Sequence, residues 1–215
     1  MSGVRVSLKL ATSLDGRIAL ADGTSQWITS SDSRARTHQM RAEHDAILVG
    51  VGTVLADDPL LTARTVPTPK VQPVRIVADS NLKTPLTSRL IQTVQTGRVV
   101  LASAVTPPES YAEAGVDVWQ CGTSTRVDCA ALLRRAEAEG IRSLFLEGGG
   151  TLAASFIRAN LVDEILWFRA PILIGSEGLP ALGGLGLSEL GQATRWKPIA
   201  TERIGDDVLD TYVRF

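Results

Sequence analysis

The stretch Ser143-Leu144-Phe145-Leu146-Glu147-Gly148-Gly149-Gly150-Thr151 sets a carboxylate directly before three glycines. Leu144 to Leu146 is a short apolar run of the kind that makes a strand buried on both faces. Leu152, Phe156 and Ile157 follow at helical spacing, and Asn160 stands where a left-handed cap would close the helix. Strand, glycine turn and helix in this order let a polyanion approach bare backbone, with the N–H groups and dipole of the helix start against its phosphates. Glu147, at the carboxyl end of the strand, is placed in the crevice where open α/β sheets take their ligands. The pattern suggests one residue for substrate and one loop for cofactor. Against it, Gly-Gly-Gly is not the spaced dinucleotide fingerprint, and a glycine turn between strand and helix also occurs without any ligand.

Other residues able to do chemistry are scattered along the chain. Lys9 lies on the polar face of an alternating stretch, Val4-Arg5-Val6-Ser7-Leu8-Lys9-Leu10, whose plain reading is a first strand with a solvated lysine. Arg34, Arg36, His38 and Arg41 make a helix from about residue 31 to 43 basic on more than one side, and most of them are expected in solvent. Asp57-Asp58 before Pro59 fits a turn in which one aspartate satisfies backbone N–H groups better than it fits a metal site, because no further ligand cluster accompanies the pair. Cys121 and Cys129 lack Cys or His companions at zinc spacing and read as buried or bystander thiols, so no metal is expected.

The elements that must position these groups alternate between strand and helix. Residues 45–50, 74–78, 98–102 and 116–119 read as further strands, with a glycine turn, one helical turn and a proline stop over 51–59 and a helix over 128–139. Residues 163–171 have strand composition, the glycine-rich tract 174–186 reads as a long loop, and 196–204 with 208–215 form an antiparallel hairpin around Gly205-Asp206-Asp207. The order implies an α/β fold, a mixed and mostly parallel sheet covered on both faces and closed by a C-terminal antiparallel hairpin. One domain over residues 1–215 suffices for a chain of this length with 44% apolar residues. The formal net charge of −1, with acids and bases interspersed, implies neither a nucleic-acid groove nor an anionic membrane surface. No apolar run approaches the roughly 20 residues of a membrane span, and the start lacks the apolar core of a secretory signal, which leads us to expect a cytoplasmic protein.

Three separated stretches resemble one family. Residues 9–17 (Lys9 to Arg17), Ser25-Gln26-Trp27-Ile28-Thr29, and the block from Arg41 to Arg64 are similar to the reductase domain of the bifunctional riboflavin-biosynthesis deaminase/reductase. Glu147-Gly148-Gly149-Gly150-Thr151 and Leu161-Val162-Asp163-Glu164 continue the resemblance in order, over essentially the whole chain. The resemblance implies a three-layer αβα fold of the dihydrofolate-reductase type, a homodimer, and NADPH-dependent reduction of 5-amino-6-(5-phosphoribosylamino)uracil to its ribitylamino product. It implies substrate-binding positions at Ser25, Arg41, Leu61, Arg64 and Glu147. It implies NADPH-binding positions at Ala11, Trp27, Thr53, Asp57, Ser80 and the loop Gly149, Gly150, Thr151, Leu152, Ala153, Ala154 and Ser155. Lys9 and Glu147 match a pair near the reacting carbon. The family's usual N-terminal deaminase half, with its zinc ligands, is absent from the sequence, which is expected of a stand-alone reductase or an excised domain; a stand-alone copy that acts on another imine, carbonyl or pterin-like substrate is the alternative.

The reaction needs a hydride at the anomeric carbon of the sugar, a proton for the departing ring oxygen, and a hold on phosphate and pyrimidine. Arg41 and Arg64 suit the phosphate, since guanidinium pairs bidentately with phosphate oxygens. Trp27 offers a flat apolar surface to cofactor or pyrimidine, or a lid on the core. Lys9 and Glu147, at the ends of adjacent strands, are expected to be buried as a pair, with Lys9 donating the proton. At the end of the third of these strands, Asp79 would suit NAD in a Rossmann domain, whereas the family match at Ser80, with Lys83 nearby, favours the 2′-phosphate of NADPH.

Overall fold

The computed structural model describes residues 3–26, 28–122 and 125–215. In chain order these residues form β1 (Arg5–Thr12), β2 (Arg17–Ala19), α1 (Ser31–Ala42), β3 (Ala46–Gly50), α2 (Val51–Asp57), β4 (Val74–Ala78), α3 (Arg89–Gln92), β5 (Val99–Ser103), α4 (Glu109–Glu113) and β6 (Asp117–Gln120). There follow α5 (Cys129–Ala138), β7 (Ser143–Leu146), α6 (Gly150–Arg158), β8 (Glu164–Arg169), β9 (Leu179–Pro180), β10 (Trp196–Ile204) and β11 (Asp207–Arg214).

Nine strands make one sheet in the order β10-β11-β8-β1-β7-β3-β4-β5-β6. From β8 to β6 every neighbouring pair is parallel, and only the β10–β11 hairpin and its contact with β8 are antiparallel. The inner strands β3, β5 and β7 are apolar on both faces because each face is covered. In β3, Ala46 and Leu48 join a core with Leu132, Leu133, Ala136, Phe156 and Ile157 of α5 and α6, while Ile47 and Val49 join a second core with Met40 of α1, Val54 of α2, Leu90 and Ile91 of α3 and Tyr111 of α4. This is the expected three-layer αβα arrangement, and period-2 alternation alone explains the uninterrupted apolar runs.

The short elements β2, α3 and α4 are additions to the reading of the sequence, and two stretches differ from it. Val51 to Asp57 is a seven-residue helix rather than a single turn; Gly50 is its N-cap and Asp58, in the left-handed region at φ 40°, its C-cap. The tract 174–186 is not wholly a loop, since Leu179–Pro180 pairs antiparallel with Arg17–Ala19 as a small separate sheet, β2–β9. A two-residue strand carries too little periodicity to be seen in the sequence.

The C-terminal hairpin also fixes the helix that carries Arg41. Asp207, buried at the start of β11, accepts hydrogen bonds from Ser30 N–H at 2.7 Å and from Ser33 Oγ at 2.5 Å. Ser30 in turn caps α1 by accepting from Ser33 N–H.

Candidate functional site

The carboxyl ends of β1, β7 and β3 meet in one crevice. Leu8 is paired with Leu146 in the parallel register, so the residues that follow, Lys9 and Glu147, emerge side by side, and Glu147 N–H donates to Leu48 C=O at 2.9 Å. Arg41, in the last turn of α1, reaches Glu147 through a two-pronged fork: Nε to Oε1 at 2.5 Å and Nη2 to Oε2 at 2.8 Å. Its remaining amino group, Nη1, donates to Thr62 C=O at 3.0 Å. The pair is close to sealed, the side chains being 13% and 6% exposed. Burial works against the Arg41 charge, but the Glu147 carboxylate more than offsets it, and the Arg41 pKa stands above its ordinary value.

That fork replaces the Lys9–Glu147 ion pair expected from the sequence. Among the described residues no ion pair joins the two; Lys9 Nζ lies 5.7 Å from the centroid of the fully buried Phe168 ring, while Glu147 gives both oxygens to Arg41. Guanidinium offers two parallel donors and an ammonium does not, so Arg41 takes the carboxylate. Burial pushes the Lys9 pKa below its ordinary value; the nearby Glu147 charge opposes the shift, and the Arg41 charge adds to it.

Lys9 and Glu147 line a cavity of about 550 Å³, within the range of small-molecule sites. Its floor is two strand–turn–helix units of one style, β3–α2 and β7–α6, which contribute Thr53, Asp57 and the Gly148–Gly150 turn. Gly149 has φ 83°, a conformation open to glycine at little cost, and α6 begins at Gly150 with no side-chain cap, which leaves the N–H groups of its first turn for a ligand. A Cβ on Gly150 would stand 3.0 Å from Ala181 C=O, so the segment after β9 closes directly over the turn. The Asp57 carboxylate has no hydrogen-bond or ion-pair partner among the described residues, and desolvation raises its pKa.

Of the residues named from the sequence, Ala11, Ser25, Thr53, Asp57, Gly149, Gly150 and Ala153 line this cavity together with Lys9 and Glu147. Thr151, Leu152, Ala154 and Ser155 belong to α6 but not to the cavity lining: Ala154 is buried, Leu152 packs on the core, and Ser155 Oγ donates to Thr151 C=O. Ser80 lies at the end of β4, one strand beyond β3, and its hydroxyl accepts from Val127 N–H at 3.0 Å. Trp27 lies outside the described residues.

A second cavity, of about 370 Å³, is lined by Arg41, Pro59, Leu60, Leu61, Arg64 and Arg89. The Arg41–Glu147 fork stands between the two cavities, since Arg41 lines this one and Glu147 the other. The loop that forms the second cavity is held from three sides. Arg75, completely buried, donates from Nη1 to Leu60 C=O and Thr93 Oγ1 and from Nη2 to the carbonyls of Thr93 and Gly97. His38, one helical turn before Arg41, accepts from Arg64 N–H at Nδ1, 3.3 Å. Asp58 accepts from Arg89 N–H at 2.8 Å, so the expectation that an aspartate here satisfies backbone holds, but across to α3 rather than in its own turn. His38, Arg75 and Arg89 were not legible as site residues; only the i, i+3 spacing of His38 and Arg41 on one helix face pointed to any of them. Among the described residues no group of three or more His, Cys, Asp or Glu side chains could hold a metal.

The geometry is matched by kinship. The model of the RibD C-terminal domain matches residues 4–209. The chain is 42% identical over 213 residues to the riboflavin biosynthesis protein RibD of Actinobacillus pleuropneumoniae, an alignment that covers 97% of this chain and 56% of that protein. It is 39% identical to the 2,5-diamino-6-ribosylamino-4(3H)-pyrimidinone 5′-phosphate reductase of Methanothermobacter thermautotrophicus, with 96% of each chain covered. Among solved structures, RibD of Acinetobacter baumannii superposes with a TM-score of 0.86 at 27% identity, over 99% of this chain and 58% of that one. The chain thus spans little more than half of the RibD proteins it resembles and nearly the whole of the archaeal reductase. A mixed sheet of dihydrofolate-reductase type with two glycine-turn units at one crevice, matched over nearly its full length, belongs to the RibD C-terminal domain family.

Proposed function

We propose that the chain is a single reductase domain that uses NADPH to reduce the ribosyl group of 5-amino-6-(5-phosphoribosylamino)uracil to ribityl, in riboflavin biosynthesis. The observation that carries the reading is the adjacency of two cavities: a glycine cradle with a buried lysine and carboxylate, and a basic pocket joined to it by the Arg41–Glu147 fork.

The residues fit a nicotinamide dinucleotide. Gly148, Gly149 and the uncapped first turn of α6 offer bare backbone to a pyrophosphate, and Thr53 Oγ1 stands 3.3 Å from where a Cβ on Gly148 would lie, so that a bulkier turn would fill the cradle. Asp79 is fully buried and accepts from Lys83 N–H, Thr84 N–H and Thr84 Oγ1, so it is turned away from any ribose hydroxyl. Ser80 and Lys83 beside it support the phosphorylated cofactor. When bound, that cofactor supplies the hydride.

The chain's own residues supply the rest. Glu147, its orientation held by the Arg41 fork, accepts hydrogen bonds from the ribose hydroxyls and positions the anomeric carbon. Lys9, with its pKa lowered by burial, donates a proton from Nζ to the ring oxygen as the carbon–oxygen bond opens, which leaves a hydroxyl on the ribityl chain. The β2–β9 sheet and the segment to Ala181 cover the glycine turn and exclude water. We further infer a cytoplasmic homodimer that binds neither nucleic acid nor membrane; no helix among the described residues is long and apolar enough to cross one.

The full-length match to the archaeal enzyme favours a second reading, in which the substrate is the undeaminated 2,5-diamino-6-ribosylamino-4(3H)-pyrimidinone 5′-phosphate. Cofactor absorbance loss with each of the two phosphates decides between them. Oxidation of NADPH with neither, but with another imine, carbonyl or pterin-like compound, overturns both.

A further inference from the structure

Arg41, the first arginine the sequence offers for a phosphate, directs three of its five N–H groups into the protein. Nε and Nη2 go to Glu147 and Nη1 to Thr62 C=O. Arg64 and Arg89 are in the opposite condition. Both are exposed, both line the 370 Å³ cavity, and among the described residues neither forms an ion pair. They are close enough that the charge of Arg89 helps to lower the Arg64 pKa, after burial and the charge of Arg41. Like charges set side by side without a counterion cost stability unless an anion completes them. Three guanidiniums and one carboxylate leave two positive charges at this cavity, the complement of a phosphate monoester near neutral pH.

The backbone is arranged to hold that pair. His38 accepts the N–H of Arg64, and Asp58 accepts the N–H of Arg89. Asp58 is also the left-handed cap of α2, the helix that carries Thr53 and Asp57 in the cofactor-side cavity, so a short main-chain route ties the basic pocket to the cradle.

We propose that Arg89 is a phosphate ligand of the substrate and, with Arg64, sets the preference for a phosphorylated sugar, whereas Arg41 acts as a positioning residue for Glu147. This rests on the proposed reduction of a ribosylaminopyrimidine phosphate and deepens it. Arg89→Ala keeps the N–H that Asp58 holds, so α3 retains its anchor.

The test compares NADPH oxidation with the ribosylaminouracil phosphate and with the same compound lacking phosphate, as a ratio of kcat/KM, for the native protein, Arg89→Ala, and Arg134→Ala on the exposed face of α5. Removing one charge-assisted hydrogen bond to the phosphate is expected to lower the ratio roughly 10- to 100-fold in Arg89→Ala and to leave it intact in Arg134→Ala, with inhibition by inorganic phosphate weakened in Arg89→Ala alone. A native protein that does not distinguish the two compounds overturns the reading of the substrate. A native protein that distinguishes them, with an Arg89→Ala of unaltered melting temperature that distinguishes them equally, overturns the assignment of Arg89 and leaves the substrate standing.

Discussion

Arg41 meets Glu147 across 106 positions of sequence through two hydrogen bonds of 2.5 and 2.8 Å, and through this fork it joins the basic pocket that it lines to the cavity that Glu147 lines. Because the fork is nearly sealed, removing one partner strands the other as a buried charge. Arg41→Ala is expected to cost about 3–5 kcal/mol of stability. Arg41→Lys keeps the charge but cannot form two parallel bonds, so it should regain part of the melting temperature and little of kcat. Equal kcat in Arg41→Lys and the native protein would show that the fork does not orient the carboxylate.

Lys9→Met keeps most of the stem volume while removing donor and charge. Turnover should fall by about 10²–10⁴ with NADPH affinity nearly intact. The pH dependence carries a sign. The folded pKa of Lys9 lies below 10.5, so the charged form is penalised in the fold; that cost is full below the folded pKa and is relieved as pH rises towards 10.5. Lys9→Met should therefore melt higher than the native protein at neutral pH, and the alkaline fall of kcat due to loss of the acid should vanish with it. Near-normal turnover would pass the proton to water or to Asp57.

His38 is held neutral. Burial, then the charges of Arg41 and Arg64, lower its pKa to about 4, against 6.5 in the unfolded chain. Its contribution to stability is present above pH 6.5 and is lost as pH falls through about 4, where Nδ1 gains a proton and can no longer accept from Arg64 N–H. His38→Gln should flatten the slope of melting temperature between those limits. It should also raise KM for the phosphorylated substrate by a few fold, with kcat less affected. An identical acid slope in the variant would remove His38 from this role.

Gly150→Ala would improve the intrinsic helix propensity of α6 and still harm the site. The new Cβ would stand 3.0 Å from Ala181 C=O and 3.3 Å from Pro180 C=O, which are backbone atoms of the segment over the cradle. NADPH should bind about 10-fold more weakly, read by fluorescence titration, in keeping with a loss of roughly 1.4 kcal/mol from a displaced segment. Unchanged cofactor affinity would show that this segment does not shape the cofactor site.

Much of this was legible in the amino-acid sequence by itself. The apolar runs 46–49, 76–78 and 144–146 mark strands with two covered faces because period 2 sends alternate residues to α5 and α6 on one side and α1 to α4 on the other. The order of strands, helices and a closing hairpin then implies a mostly parallel sheet, and the glycines after Glu147 and in 50–52 mark two turns able to receive phosphate. These are local signals, carried by spacing within a dozen residues. Only the tertiary structure decided who partners whom. Lys9 and Glu147 do stand at adjacent strand ends, as parallel pairing of β1 with β7 requires, but a guanidinium delivered by α1 competes for the carboxylate and wins on geometry. Asp79 stands where a Rossmann domain would hold a ribose, and only the fold shows it buried and accepting from Thr84, with Ser80 beside it accepting from Val127 N–H. Arg89 has no marker in sequence at all, because its place beside Arg64 depends on the return of the chain after β4 and on Asp58 at the far end of α2. Charge pairs and cavities are set by distances through space, which a one-dimensional pattern does not encode.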